Sequence, residues 1–219
     1  MNYAALSAAI QAYTENTEAD FVANIPVFVT QAEQRIFNSV QFPSLRQNVT
    51  GATTTNNKYL QCPTDFLAVY SLAIIKANGE YEYLLNKDVN FIRQAYPQPT
   101  DTGIPRYYAL FGPRSDNPAE LTFILGPTPD AAYGAELHYF FYPPSISVAP
   151  FTSWLGDNFD TVLLYGSLVE AYTYMKGEQD MMALYNGKYQ EALALAKRLG
   201  DGMERQDAYR SGQYRQAVT

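Results

Sequence analysis

One cysteine, one histidine and one tryptophan occur in 219 residues. A single cysteine excludes an intrachain disulfide, and a single histidine excludes the usual zinc ligand sets. No stretch of about 20 apolar residues is present, nor a positively charged leader followed by an apolar core; a soluble protein made in the cytoplasm is expected. No segment is basic either. The net charge of −7 divides as −3 over residues 1–45, −2 over 46–150 and −2 over 151–219. Counter-ion release, the main source of nucleic-acid affinity, therefore has no obvious origin here. An acidic protein can still surround DNA that it is not meant to hold.

What is present is apolar surface and tyrosine. Apolar residues make up 47% and charged residues 17% of the chain, a balance of folded rather than disordered protein. The 19 tyrosines outnumber the 12 phenylalanines. Tyrosine joins a large apolar ring to a wet hydroxyl, so it suits strand faces and interfaces.

Residues 157–199 read as two long helices joined by a tight turn. Asp157 is placed to cap the first, with Asp160 adding a carboxylate at its positive end. Val162, Leu163, Tyr165, Gly166, Val169, Tyr172 and Tyr174 recur at helical spacings. Lys176 and Gly177 close that helix, Gly177 as the residue that accepts positive φ. Asp180 can cap the return helix, whose stripe is Met181, Leu184, Tyr185, Tyr189, Leu193, Ala196 and Leu199 and which ends at Gly200. Such a short connection makes the helices antiparallel neighbours. Residues 1–42 are also helical in pattern. Leu6, Ile10 and Tyr13 share one face. Thr17 with Asp20 resembles a capping box, and a helix is expected to restart at Ile25 or Pro26, because proline is welcome only in a first turn.

Between these ends the composition changes. Eleven of the thirteen prolines fall within 46–150 and none follows. Asn78-Gly79 between apolar runs is a strong hairpin signal, since both turn positions favour positive φ. Residues 67–77 and 80–85 are its predicted strands. Strict alternation marks 120–125 and 136–142, and 49–55, 58–62 and 106–111 bring the total to about seven. Residues 88–95 suggest one short helix. The fold class is α+β: a helical bundle formed by both chain ends, 1–45 and 151–200, an inserted antiparallel β-sandwich or barrel over 46–150, and an extended C-terminal tail over 201–219.

No catalytic constellation emerges. Cys62 would need a base, and His138, the lone imidazole, lies on another predicted strand. Glu80 and Glu82 share a strand face, as exposed glutamates on a hairpin commonly do. Gly166 and Gly187 sit inside helices at a cost of about 1 kcal/mol each relative to alanine. Close helix packing would compensate, either within a protomer or between protomers. The tail carries Tyr209, Arg210, Tyr214 and Arg215, residue types enriched at binding hot spots. It is either a frayed end or a segment that folds onto a partner.

Five strings, in order along nearly the whole chain, resemble the head-to-tail adaptor proteins of tailed bacteriophages, the tail tubular protein A-like family. They are Ala32-Glu33-Gln34-Arg35-Ile36, Cys62-Pro63-Thr64-Asp65-Phe66, Gly103-Ile104-Pro105-Arg106-Tyr107-Tyr108, Tyr139-Phe140-Phe141-Tyr142-Pro143 and Leu163-Leu164-Tyr165-Gly166-Ser167-Leu168-Val169-Glu170-Ala171. The resemblance implies a structural virion protein of the neck, without cofactor or catalytic residues. Twelve copies would form a ring under the portal protein, with the helical part and tail on the portal. A tail tube or nozzle protein would sit on the other side, and double-stranded DNA would pass through without specific binding. Two other classes stand beside it. A carbohydrate- or receptor-binding module of a virion would use exposed tyrosines as stacking platforms. A carboxylate enzyme would need acids facing each other across a cleft.

Overall fold

The structure, a computed structural model, describes residues 1–112, 120–148 and 152–204. The chain forms two compact units: Met1–Leu45 together with the chain from Tyr142 onward, and Arg46–Phe141. An α-helical bundle drawn from both termini thus flanks a central β-sheet region in sequence.

In the helical unit, helix α1 (Tyr3–Thr14) starts at Asn2, whose side chain accepts from the Ala5 amide at 2.9 Å. Helix α2 (Ala19–Ser39) runs unbroken through Pro26. The expected restart at Ile25 or Pro26 does not occur. Proline removes one amide from the ladder, but Phe21, Ile25, Phe28 and Val29 are all buried around it. Continuous burial of that face outweighs one lost hydrogen bond. A short helix α4 (Trp154–Asn158) precedes α5 (Asp160–Met175) and α6 (Gln179–Glu204). Helix α5 is central, packing on α1, α2, α4 and α6.

Three expected signals act differently here. Helix α5 follows Phe159 with no side-chain cap, and Asp157 lies inside α4, which Ser153 caps by accepting from the Gly156 amide at 3.1 Å. Asp157 instead accepts from the Thr152 hydroxyl at 2.8 Å. Helix α5 ends with Lys176 in the left-handed region at φ 54°, and Gly177 carries no positive φ. Gly177 is needed for space: a Cβ there would lie 2.6 Å from the Tyr172 ring. Helix α6 continues past Gly200, whose missing Cβ would meet Val40 Cγ1 at 2.9 Å and the Gln41 carbonyl at 3.3 Å. Gly200 lets the helix lie on the chain segment after α2.

Among the described residues, the β unit holds eight strands in two four-stranded sheets. The first sheet has the order β1 (Arg46–Ala52), β8 (Gly134–Phe141), β3 (Phe66–Ile75), β4 (Tyr81–Tyr83) and is antiparallel throughout. The β3–β4 turn places Gly79 at φ 82°. The second has the order β2 (Tyr59–Gln61), β7 (Thr122–Gly126), β6 (Tyr107–Phe111), β5 (Leu85–Asn86). The all-antiparallel expectation fails at one pair, since β5 and β6 are parallel. Helix α3 (Val89–Ala95), capped by Asp88, lies in the connection between them. A crossover through a helix returns the chain in the same direction. Among the described residues neither sheet closes on itself, so no barrel forms. Residues of both sheets, among them Leu72, Ile74, Leu137, Tyr108, Phe123 and Leu125, share one apolar core.

Candidate interaction surfaces

Two of the sequence strings meet in the helical unit. Gly166 on α5 faces α2 and α6 together: a Cβ there would be 3.2 Å from Ala32 Cβ and 3.2 Å from Tyr189 Cε2. That spacing is tighter than ordinary van der Waals contact, so the glycine is what permits three helices to converge. One turn further along α5, Glu170 pairs with Arg35 of α2. The Arg35 guanidinium in turn lies 6.0 Å from the ring centroid of Tyr189. Tyr189 is 1% exposed, and its burial pushes its phenol pKa up.

Next to this junction lies a polar cleft of about 440 Å³, lined by Gln31, Gln34, Arg35, Asn38, Ser39 and Glu170. Its lining is amide, hydroxyl, guanidinium and carboxylate, and the Ser39 hydroxyl donates to the Arg35 carbonyl at 2.7 Å. It suits polar contact with another protein chain.

Glu33 was not recognisable as special. It is 3% exposed on α2 and accepts from the Ile146 amide at 3.0 Å. Burial raises its pKa, opposed by hydrogen bonding to Ser145 and to the Ile146 backbone. The carboxyl ties the segment after β8 to α2, assisted by Ser145, 3.3 Å from the Thr30 hydroxyl.

Gly187 differs from Gly166. A Cβ at Gly187 would meet nothing within 4 Å. It lies on an open face of α6 that also carries Leu184 and Leu195, both more than half exposed. Among the described residues, therefore, no close packing compensates for this glycine.

In the β unit, Cys62 is buried in the shared core, and desolvation, aided by the charge of Glu120, pushes its thiol up to about 12. His138 is exposed and 3.3 Å from Glu136. The two are not brought together. Glu80 and Glu82 both bind the Lys76 ammonium, at 3.4 and 2.9 Å. Asp65, from a third string, accepts from the Tyr139 hydroxyl at 3.0 Å, and desolvation first, then that bond, pushes the phenol up to about 12. An apolar cleft of about 270 Å³ opens between β1 and β2, with Val49, Leu60, Cys62, Leu72, Phe123 and Leu137 in its lining.

Tyr209, Arg210, Tyr214 and Arg215 lie outside the described residues. Among those described, no group of acids, histidine and cysteine is arranged to hold a metal ion, and no helix is long and apolar enough to cross a membrane.

The family model of the SU10 adaptor protein matches residues 1–216. No curated protein matches the chain. The family match covers the helical ends, the inserted sheets and the tail together, and it favours a connector role over a receptor-binding module. Proteins of this family typically oligomerise and bridge portal and tail components, at the neck of the virion. The chain belongs to the SU10 adaptor protein family and is a structural, non-catalytic head-to-tail adaptor of a bacteriophage virion.

Proposed function

We propose that about twelve copies assemble head to tail into a closed ring between portal and tail, since a ring requires heterologous contacts between identical chains. Within it, the tail of residues 201–219 docks onto the portal protein through Tyr209, Arg210, Tyr214 and Arg215. The side away from the portal receives the tail tube or nozzle protein. Double-stranded DNA passes through the centre without specific binding. The observation that carries this reading is the family match over 1–216, which runs through the tail itself. The net charge of −7 supports the conduit, because each phosphate–cation contact would retard DNA.

The test is the mass of the purified protein in solution, alone and mixed with portal rings. The expected result is a species of ring mass on the portal. Removal of residues 205–219 should abolish that complex while leaving the helical unit folded. A truncated chain that still joins the portal overturns docking through the tail, and a full chain that ignores the portal overturns the ring.

A further inference from the structure

Among the described residues, the first sheet of the β unit ends with β1 on one side and β4 on the other, each paired to a neighbouring strand along one edge only. Free edges normally carry protection in the form of proline, bulges or inward charge. Strand β1 has none along its length. Its seven residues, Arg-Gln-Asn-Val-Thr-Gly-Ala, contain no proline, pair with β8 in unbroken register, and are exposed from Gln47 to Ala52. A charged residue stands only at its first position.

The direction of its unpaired backbone groups follows from the hydrogen bonds next to it. The Thr53 amide donates to the Tyr133 carbonyl at 2.9 Å, one step beyond the Ala52–Gly134 pair. By the alternation of an antiparallel ladder, Gln47, Val49 and Gly51 bond to β8, and Asn48 and Thr50 direct their N–H and C=O groups away from the sheet. At the other edge the Leu84 amide donates to the Leu72 carbonyl, and the Lys76 amide donates to the Glu80 carbonyl, both at 2.9 Å. Glu82 therefore bonds to β3, and Tyr81 and Tyr83 direct their backbone groups outward. The rings of Tyr81 and Tyr83 stack at 6.3 Å, and the two residues are 45% and 68% exposed.

These two edges are complementary. Four alternating strands leave β1 and β4 running in opposite directions. A neighbour one step round a ring of about twelve is turned by only about 30°, so its strand directions change little and its β4 arrives nearly antiparallel to β1. The faces match as well. Asn48 and Thr50 oppose His138 and Glu136, whereas Tyr81 and Tyr83 oppose Ile75 and Ala73, of which Ala73 itself opposes Glu136. All four outward-bonding residues thus present their side chains on the same face of the sheet, as directly paired residues must. The added strand would also run alongside the mouth of the apolar cleft between β1 and β2.

We infer that β4 of one copy adds to the free edge of β1 in the next, so that the sheet continues from protomer to protomer. This rests on the ring proposed above and names one of its contacts. Tyr83 of one protomer then faces Asn48 or Thr50 of its neighbour at about 5.5 Å between Cα atoms, within disulfide reach.

The experiment combines Tyr83→Cys with Asn48→Cys or with Thr50→Cys, keeping the buried Cys62, and oxidises the protein after assembly on portal rings. One double variant is expected to give a ladder of covalent multimers beyond the dimer on a denaturing, non-reducing gel, while each single variant stays monomeric. Thr50→Pro, which removes an outward N–H without touching the β8 ladder, is expected to reduce assembly at least about tenfold with unchanged melting. Rings of full mass that give no ladder with either pair overturn the strand pairing and leave the ring intact. So do rings that form normally with Thr50→Pro. Absence of any assembly on the portal removes the ring and this contact together.

Discussion

In the helical unit, Arg35, Glu170 and Tyr189 close on one another around Gly166, and Glu33 is tied to the Ile146 amide. In the β unit, among the described residues, Tyr81 and Tyr83 on β4 and Asn48 and Thr50 on β1 find no strand partner beyond the edges of their sheet. The contrast has a geometric origin. A helix satisfies its backbone internally and offers only side chains to its neighbours, so a bundle can close around a few well-placed residues. A sheet satisfies its backbone through its neighbours, and its two outermost strands keep free donors and acceptors unless it closes into a barrel. Neither sheet closes here among the described residues. The bundle is where fold identity is held, and the sheet edge is where association is available.

The largest expected effect tests whether the two units stand independently. Phe123 is fully buried and meets Phe66 and Tyr108 edge-on at 5.5 and 5.6 Å. Phe123→Ala should cost about 3–5 kcal/mol. The sole tryptophan, Trp154, belongs to the helical unit, against Phe42 and Phe159. Both units carry tyrosines, so denaturant unfolding of the variant should split an earlier transition from the tyrosine circular dichroism and leave the Trp154 fluorescence midpoint in place. An equal shift in both signals would mean that the units unfold as one.

The converse substitution is Gly166→Leu. Ala32 and Tyr189 leave no room for a side chain, and overpacking should cost more than about 2 kcal/mol. Here Trp154 fluorescence should report the loss. A change near zero would mean that α5 can move away from α2 and α6 freely, and the contrast between a closed bundle and an open sheet would fail.

Glu33 sharpens the comparison through pH. Burial raises its pKa in the folded state, so the protonated form is the one that folding favours. That stabilisation is complete below the unfolded value of about 4.3 and is lost as pH rises through the higher folded value. Glu33→Gln removes the titration and keeps an acceptor for the Ile146 amide. Wild-type stability should rise relative to E33Q as pH falls from 7 toward about 4.5. A difference independent of pH would show that the carboxyl is solvated.

The Arg35–Glu170 pair should contribute less. Arg35 is 44% and Glu170 13% exposed, a half-solvated pair for which a coupling of about 0.5–1 kcal/mol is expected. A double-mutant cycle with alanine at both positions measures it, and a coupling near zero would leave Gly166 alone as the determinant of the junction.

Local chemistry explains which of these features sequence reasoning could reach. The β3–β4 hairpin was legible because Asn78-Gly79 and the alternation beside it are contiguous signals. Strand β5 was not, since two residues have no period and their parallel pairing depends on the crossover through α3. The continuity of α2 across Pro26 was hidden for a related reason: the cost of proline is local, and the burial that overrides it comes from packing against other helices. Gly200 reads as a stop signal, yet its role depends on Val40 and Gln41, far back in the chain. Glu33 sits among polar residues of an amphipathic helix, and its partner amide is 113 residues away. The strings Ala32–Ile36 and Leu163–Ala171 carry the residues of the junction, Ala32, Arg35, Gly166 and Glu170, but nothing in either string says that they touch.

The smallest effect separates the two mid-helix glycines. Among the described residues the space at Gly187 is open, so Gly187→Ala restores helix propensity without a clash and should stabilise the isolated chain by about 0.5–1 kcal/mol. The same change at Gly166 meets Ala32 and Tyr189 and should not. If the open face of α6 is covered by a neighbouring protomer, Gly187→Ala should raise the melting temperature of the free protein and weaken assembly on the portal, because a Cβ would then intrude on the contact between copies. Stabilisation with undiminished assembly would assign that face of α6 to solvent and leave the sheet edges to carry the contact between protomers.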